Sequence, residues 1–240
     1  MNKENEEIEE TSEEVAEDQQ FDDESSGLEE EEGEQISLQE LLEMVAQKAE
    51  EESDEEKLNS MRSVGLYGDV EEERIAEVIS ALLTLQHVGM PKYDEEGELT
   101  EEGKPIKLYV STYGVSADDM AALVDIMNVV KKDCPIQTIG IGKVMSAGVL
   151  ILASGTKGER YIGRNCRVMI HSVIGGSVGP MHQLDNEMKE IKVVQELHNR
   201  ALCEETNLTE KQLRALLKRK VNIYLTAEEA VKYGIADIII

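Results

Sequence analysis

Ser146 and His171 are the residues whose type and placement could do chemistry. Both lie in the stretch 136–171, IQTIGIGKVMSAGVLILASGTKGERYIGRNCRVMIH. An apolar strand-like run, Ile136–Ile141, leads to Gly142 and then to Met145-Ser146-Ala147-Gly148. A small-residue apolar run follows and ends at Gly155. A second apolar run, Val168-Met169-Ile170, delivers His171. A serine at a strand-to-helix junction has free backbone N–H groups beside it that can stabilise an oxyanion, and an imidazole can take its proton. Alone, Ser146 reads more readily as a helix N-cap, the commoner role for such a serine, and a lone histidine at a strand end is usually structural. Their joint placement is what points to nucleophilic catalysis. The other histidines (His87, His182 and His198) fall on or beside predicted helices and read as surface residues.

The elements that must position this pair follow from hydrophobic periodicity. The folded body is expected to start near Ser63, with a short strand over Val64–Tyr67. Glu71–Leu85 predicts a helix with Ile75, Val78, Ile79, Leu82 and Leu83 on one face. Residues 89–104 read as a polar, glycine-punctuated loop. Ile106–Val110 predicts a strand and Ala117–Lys131 a helix. After His171, Gly175-Gly176 to Gly179-Pro180 reads as a flexible connector, and Met181–Thr206 as a long helix. Capping signals at Thr209 and Thr226 open two further helices. Val221–Leu225 and Ile235–Ile240 complete the strands. Strands alternating with helices predict an α/β fold with a largely parallel sheet.

Composition bounds the setting. The 240 residues carry a net charge of −27, unevenly spread. Residues 1–57 hold 25 Asp or Glu against 3 Lys or Arg, a charge of −22; the remainder holds 26 against 21, or −5. A body of that charge has no basic footprint for nucleic acid. Residues 1–34 are too polar and acidic to offset ordering entropy, so disorder is expected. Within the extension, Ser37 and Glu40 form a capping-box signal before Leu38, Leu41, Leu42 and Val45. Residues 36–49 therefore read either as a short docked amphipathic helix or as a frayed one. Cys134, Cys166 and Cys203 are odd in number and lack CxxC spacing, which argues against disulfides and zinc and suits a reducing compartment. No secretory or transit signal is recognisable, and the longest apolar run, Val144–Ala153, is about half a membrane span. The expectation is a cytoplasmic protein without a membrane segment, divided into an acidic extension (1–62) and a folded domain (63–240).

Over roughly Val64–Ile240 the sequence resembles the Clp protease proteolytic subunit family. Met145-Ser146-Ala147-Gly148 matches the family's nucleophile region, and Arg167-Val168-Met169-Ile170-His171 matches its histidine block intact. Gly175-Gly176 matches the glycine pair that follows. Thr226-Ala227-Glu228-Glu229-Ala230, then Tyr233-Gly234 and Asp237, match its C-terminal signature. The chain is a divergent member. The family's Asn-Ser-Pro-Gly-Gly-Ser loop is Ser111-Thr112-Tyr113-Gly114-Val115-Ser116, keeping only the first glycine. The triad aspartate position is Asn222, and the acidic extension stands where the family has its axial pore segment.

The resemblance implies a crotonase-like fold of repeated ββα units with a protruding handle helix, here Met181–Thr206. It implies a serine endopeptidase in which Ser146 is nucleophile and His171 base, with Asn222 orienting the imidazole through its carbonyl. Gly114, Val115 and Ala147 would supply oxyanion N–H groups, and Gly175 and Gly176 would line substrate by β-addition. It further implies stacked, heptameric self-assembled rings, unfolded polypeptides or short peptides as substrates, and a AAA+ unfoldase partner. No cofactor or metal is expected, and without a Walker motif any ATP use belongs to that partner. Asn222 predicts reduced activity, since an amide lacks the charge that steadies the imidazolium. Two alternatives stay open: an inactive structural subunit of a mixed ring, and a viral capsid-maturation peptidase with a scaffold-like tail.

Overall fold

In the computed structural model, residues 61–69, 71–218 and 222–240 are described. Residues 1–60 of the acidic extension, with its helix signal at 36–49, lie outside them. The described chain begins where Arg62, buried, donates from Nη1 to the Leu85 carbonyl at 2.9 Å and from Nη2 to the Lys104 carbonyl at 2.8 Å. The first strand, β1 (Ser63–Asp69), leads into helix α1 (Glu72–Val88). The 89–104 stretch, expected as a loop, holds a small antiparallel pair, β2 (Lys92–Tyr93) with β3 (Leu99–Glu101). Strands of two and three residues with none buried have no buried face to impose alternation, so the sequence carried no period to read.

Strand β4 (Ile106–Gly114) alternates cleanly. Ile106, Leu108, Val110 and Thr112 point into the core and their neighbours outward, as a period of two requires. Helix α2 (Ala117–Val130) is capped by the Ser116 hydroxyl, which accepts from Asp119 N–H, and buries Met120, Leu123, Val124, Met127 and Val130. Strand β5 (Ile136–Met145) outruns the expected Ile136–Ile141 and continues through Gly140 and Gly142 up to the residue before Ser146. Helix α3 (Ala147–Ala153) is buried at every position, as its unbroken apolar sequence dictates. Gly148 lets it press on β4, since a Cβ there would stand 2.7 Å from Thr112 Cγ2.

The chain then adds β6 (Arg160–Ile162), β7 (Arg167–Ile170), α4 (Met181–Glu205), α5 (Glu210–Leu217), β8 (Ile223–Leu225), α6 (Ala227–Lys232) and β9 (Ile238–Ile239). Both expected capping boxes form, Thr209 with Gln212 and Thr226 with Glu229. Among the described residues the main sheet has seven strands, in the order β1-β4-β5-β6-β9, with β7 pairing β5 and β8 pairing β7. All its pairs are parallel except β7 with β8. This is the mixed α/β architecture that the strand–helix alternation predicts.

Arg160 fastens the C-terminal end. Its Nε donates to Asp237 Oδ2 at 2.7 Å and its Nη1 to the Ala153 and Glu205 carbonyls at 3.0 and 2.7 Å. Burial alone would raise the Asp237 carboxyl. Arg160, with N–H groups from Gly158 and Arg160, outweighs burial and holds its pKa below the ordinary value. The three cysteines are free thiols, and burial pushes Cys166 up to about 11.

Candidate active site

The parallel register of β5 and β7 sets Met145 beside Met169. Ser146 and His171, just beyond those partners, therefore emerge at the same end of the sheet. Ser146 N–H donates to the Met169 carbonyl at 2.8 Å, tying the two strand ends together. Ser146 has φ 55° and ψ −126°, the one positive φ on a non-glycine among the described residues. That conformation is strained for an L-residue and persists only where its surroundings over-determine it. Its side chain makes no capping bond to the helix it precedes. Instead, Oγ lies 2.8 Å from His171 Nε2. The N-cap role that the sequence allowed for Ser146 is thus not taken up, and the hydroxyl faces a base.

Around this pair is a cleft of about 330 Å³, bordered by Tyr113–Ala117, Met120, Ser146, Ala147, His171–Ile174 and His198. Gly114, at φ +128°, brings β4 against the serine. A Cβ there would stand 2.9 Å from Ser146 Cβ and 3.3 Å from Oγ. The expected oxyanion role of Gly114 N–H is not what the structure offers. That N–H donates to Thr112 Oγ1 at 3.0 Å, held in place as the hydroxyl bonds the Gly68 carbonyl at 2.8 Å. Val115, the next along, borders the cleft. Ala147 N–H, first in its helix, has no intrahelical partner.

The segment after His171 is fixed to α4. Val173 N–H donates to Gln195 Oε1 at 2.8 Å, and Gln195 Nε2 donates to Asn199 Oδ1 at 2.9 Å, with Asn199 buried. Residues 171–180 form no strand. Gly175 sits on Ile191 of α4, and neither it nor Gly176 borders the cleft. Ser172, Val173 and Ile174 border the cleft instead, with Val173 held to Gln195.

Asn222 directly precedes β8, and His171 directly follows β7. The antiparallel register, Ile170 opposite Ile223, places them across from each other. Residues so opposed have Cβ atoms about 5 Å apart, within reach of contact. Asn222 is nonetheless exposed, and among the described residues Ser146 is the only hydrogen-bond partner of the His171 ring.

His198 was read from the sequence as a surface residue, and the structure corrects this. It sits on the side of α4 that closes the cleft, half-buried. Burial and the nearby charge of His171 both lower its pKa. Its helix repeat shows mixed faces, so only packing reveals which face meets the site. At the cleft rim, the Lys143 ammonium lies 4.1 Å from the centre of the Tyr113 ring, a cation–π contact.

A strained serine bonded to a histidine at the end of a parallel sheet, beside the first N–H of helix α3, defines a serine hydrolase. The chain belongs to the Clp protease family: the family model described as Clp protease matches residues 46–240. Serine peptidase activity in general goes with that membership. Among the described residues no helix is long and apolar enough to cross a membrane, and no group of three or more His, Cys, Asp or Glu side chains is gathered to hold a metal ion.

Proposed function

We propose that this chain is a serine endopeptidase of unfolded polypeptides and short peptides, working inside a chamber built from copies of itself. The observation that carries the reading is the 2.8 Å contact between Ser146 Oγ and His171 Nε2, with Ser146 held in its strained conformation. Ser146 Oγ attacks the scissile carbonyl carbon while its proton passes to His171 Nε2. The oxyanion takes hydrogen bonds from Ala147 and Val115 N–H. As the intermediate collapses, the C–N bond breaks and His171 returns the proton to the leaving amine. Water then attacks the acyl-serine ester with His171 again as base, releasing the acid and restoring Ser146.

Chamber assembly is supported by α4, which exposes Met181, Met188, Val193 and Leu197, each at least half accessible. Stacked rings fed by a AAA+ unfoldase, which would supply any ATP dependence, fit the family. Free thiols suit the cytoplasm. The test is hydrolysis of an unfolded protein and of short fluorogenic peptides. Activity is expected for wild type and not for Ser146→Ala or His171→Ala. Equal rates in all three would overturn the reading.

The Asn222 position favours a second reading, a weakly active subunit in a mixed ring. There the amide neither bonds His171 nor carries the charge that stabilises an imidazolium. Co-purification with an active paralogue, whose rate is unchanged by Ser146→Ala, would select it.

A further inference from the structure

We propose that His198 selects the substrate side chain lodged beside the scissile bond, favouring a carboxamide-tipped residue such as glutamine over an apolar residue of similar length. This rests on the peptidase reading above. The cleft walls mix apolar side chains, Val115, Ala117, Met120 and Ile174, with the hydroxyls of Ser116 and Ser172. Set among them is one imidazole that the hydrolytic steps do not use. Among the described residues His198 has no hydrogen-bond partner, so its ring nitrogens are left to whatever fills the cleft.

His198 also separates this cleft from a second hollow of about 320 Å³ between α2 and α4. The two share Ala117, Met120 and His198 as a common border. A long side chain passing from the cleft along Ala117 and Met120 would meet the imidazole at this shared border. Its lowered pKa keeps His198 neutral near pH 7, with one nitrogen a donor and the other an acceptor. A primary carboxamide offers the complementary acceptor and donor. Leucine or methionine fills the apolar part but leaves the imidazole, stripped of water, unpaired, and that is the costly arrangement for a buried polar group. A carboxylate is acceptor-only and brings a charge into a partly apolar cleft beside an uncharged imidazole, so it is disfavoured at neutral pH.

The experiment uses quenched fluorogenic peptides with the full-length protein. The peptides are identical except for Gln, Leu, Met or Glu at the residue on the acyl side of the cleaved bond, and in a second set on the leaving side. The reading is the ratio of kcat/KM for Gln to that for Leu in the responding set, which cancels any common loss of catalytic power. Wild type is expected to favour Gln, and His198→Met to lower the ratio by about tenfold. His198→Gln, which restores a donor and an acceptor, is expected to stay within about threefold of wild type. A ratio unchanged in His198→Met, with Ser146 still labelled by a fluorophosphonate, would overturn the assignment and leave the peptidase reading standing. Failure of wild type to cleave any peptide or take the label would instead overturn the peptidase reading, and this inference with it.

Discussion

Gly114 and Ser146 are in backbone-to-side-chain contact: a Cβ added to Gly114 would fall 2.9 Å from the Ser146 Cβ. The nucleophile therefore tolerates no side chain on its β4 flank, and Gly114 stands at φ +128°, which an L-residue rarely adopts. Gly114→Ala is expected to displace Ser146 and lower kcat/KM by about 100-fold. The strain should also cost about 1 kcal/mol or more of stability. Steady-state kinetics and urea unfolding check both effects; wild-type kinetics in the variant would contradict the contact.

Asn222 faces His171 across the β7–β8 pair without bonding it. Removing the amide should therefore matter little, and installing a charge should matter more. Asn222→Ala is expected to stay within about threefold of wild type in kcat/KM. Asn222→Asp is expected to raise it by at least about tenfold, since loss of a triad carboxylate costs about 10⁴ where the site is built for one. A large loss in Asn222→Ala would show that the amide orients His171 after all.

How much of this was legible in the sequence varies by element. Helices α1 and α2 declared themselves because each buries one stripe at a 3.6-residue period, α4 showed by its length while burying only Asn199 and Leu202, and the caps at Thr209 and Thr226 announced their helices in local chemistry. The Ser146–His171 pair was legible because strand ends carry their side chains to a common edge. The diversion of Gly114 N–H was not, because it depends on a Thr112 hydroxyl held from β1. Nor was the position of His198, whose helix crosses the cleft at an angle that periodicity does not encode. The length of β5 was hidden by Gly140 and Gly142, which weaken strand propensity but cannot outweigh pairing with strands on both sides.

The Arg160–Asp237 pair predicts an acid-sensitive fold. Asp237 is held below its ordinary pKa, so its contribution is fully present above the unfolded value of about 3.9 and is lost as pH falls through the lower folded value. Asp237→Asn leaves the largely buried Arg160 guanidinium without its counter-ion, and should cost about 3 kcal/mol at pH 7. Urea unfolding should show the wild-type advantage shrinking below about pH 4. An advantage that stays constant down to pH 2.5 would contradict the pairing.

His198 titrates in the other part of the range. Burial first, and the charge of His171 second, lower its pKa, while its surroundings also include Asp118 and Asp125 from α2 and Arg200 and Glu204 from α4. The unfolded chain binds the proton more readily, so stability falls as pH drops below about 6.5. The urea midpoint of wild type should fall further between pH 7.5 and 5.5 than that of His198→Met. Equal falls would place His198 in open solvent.

The central claim is that His171 activates Ser146 for attack. It is tested most directly by treating the full-length protein with a fluorophosphonate probe and mapping the adduct by peptide mass spectrometry. The account predicts a single covalent label on Ser146, absent from Ser146→Ala and slowed at least about 100-fold in His171→Ala. No label on Ser146, or labelling at the same rate without His171, would contradict it.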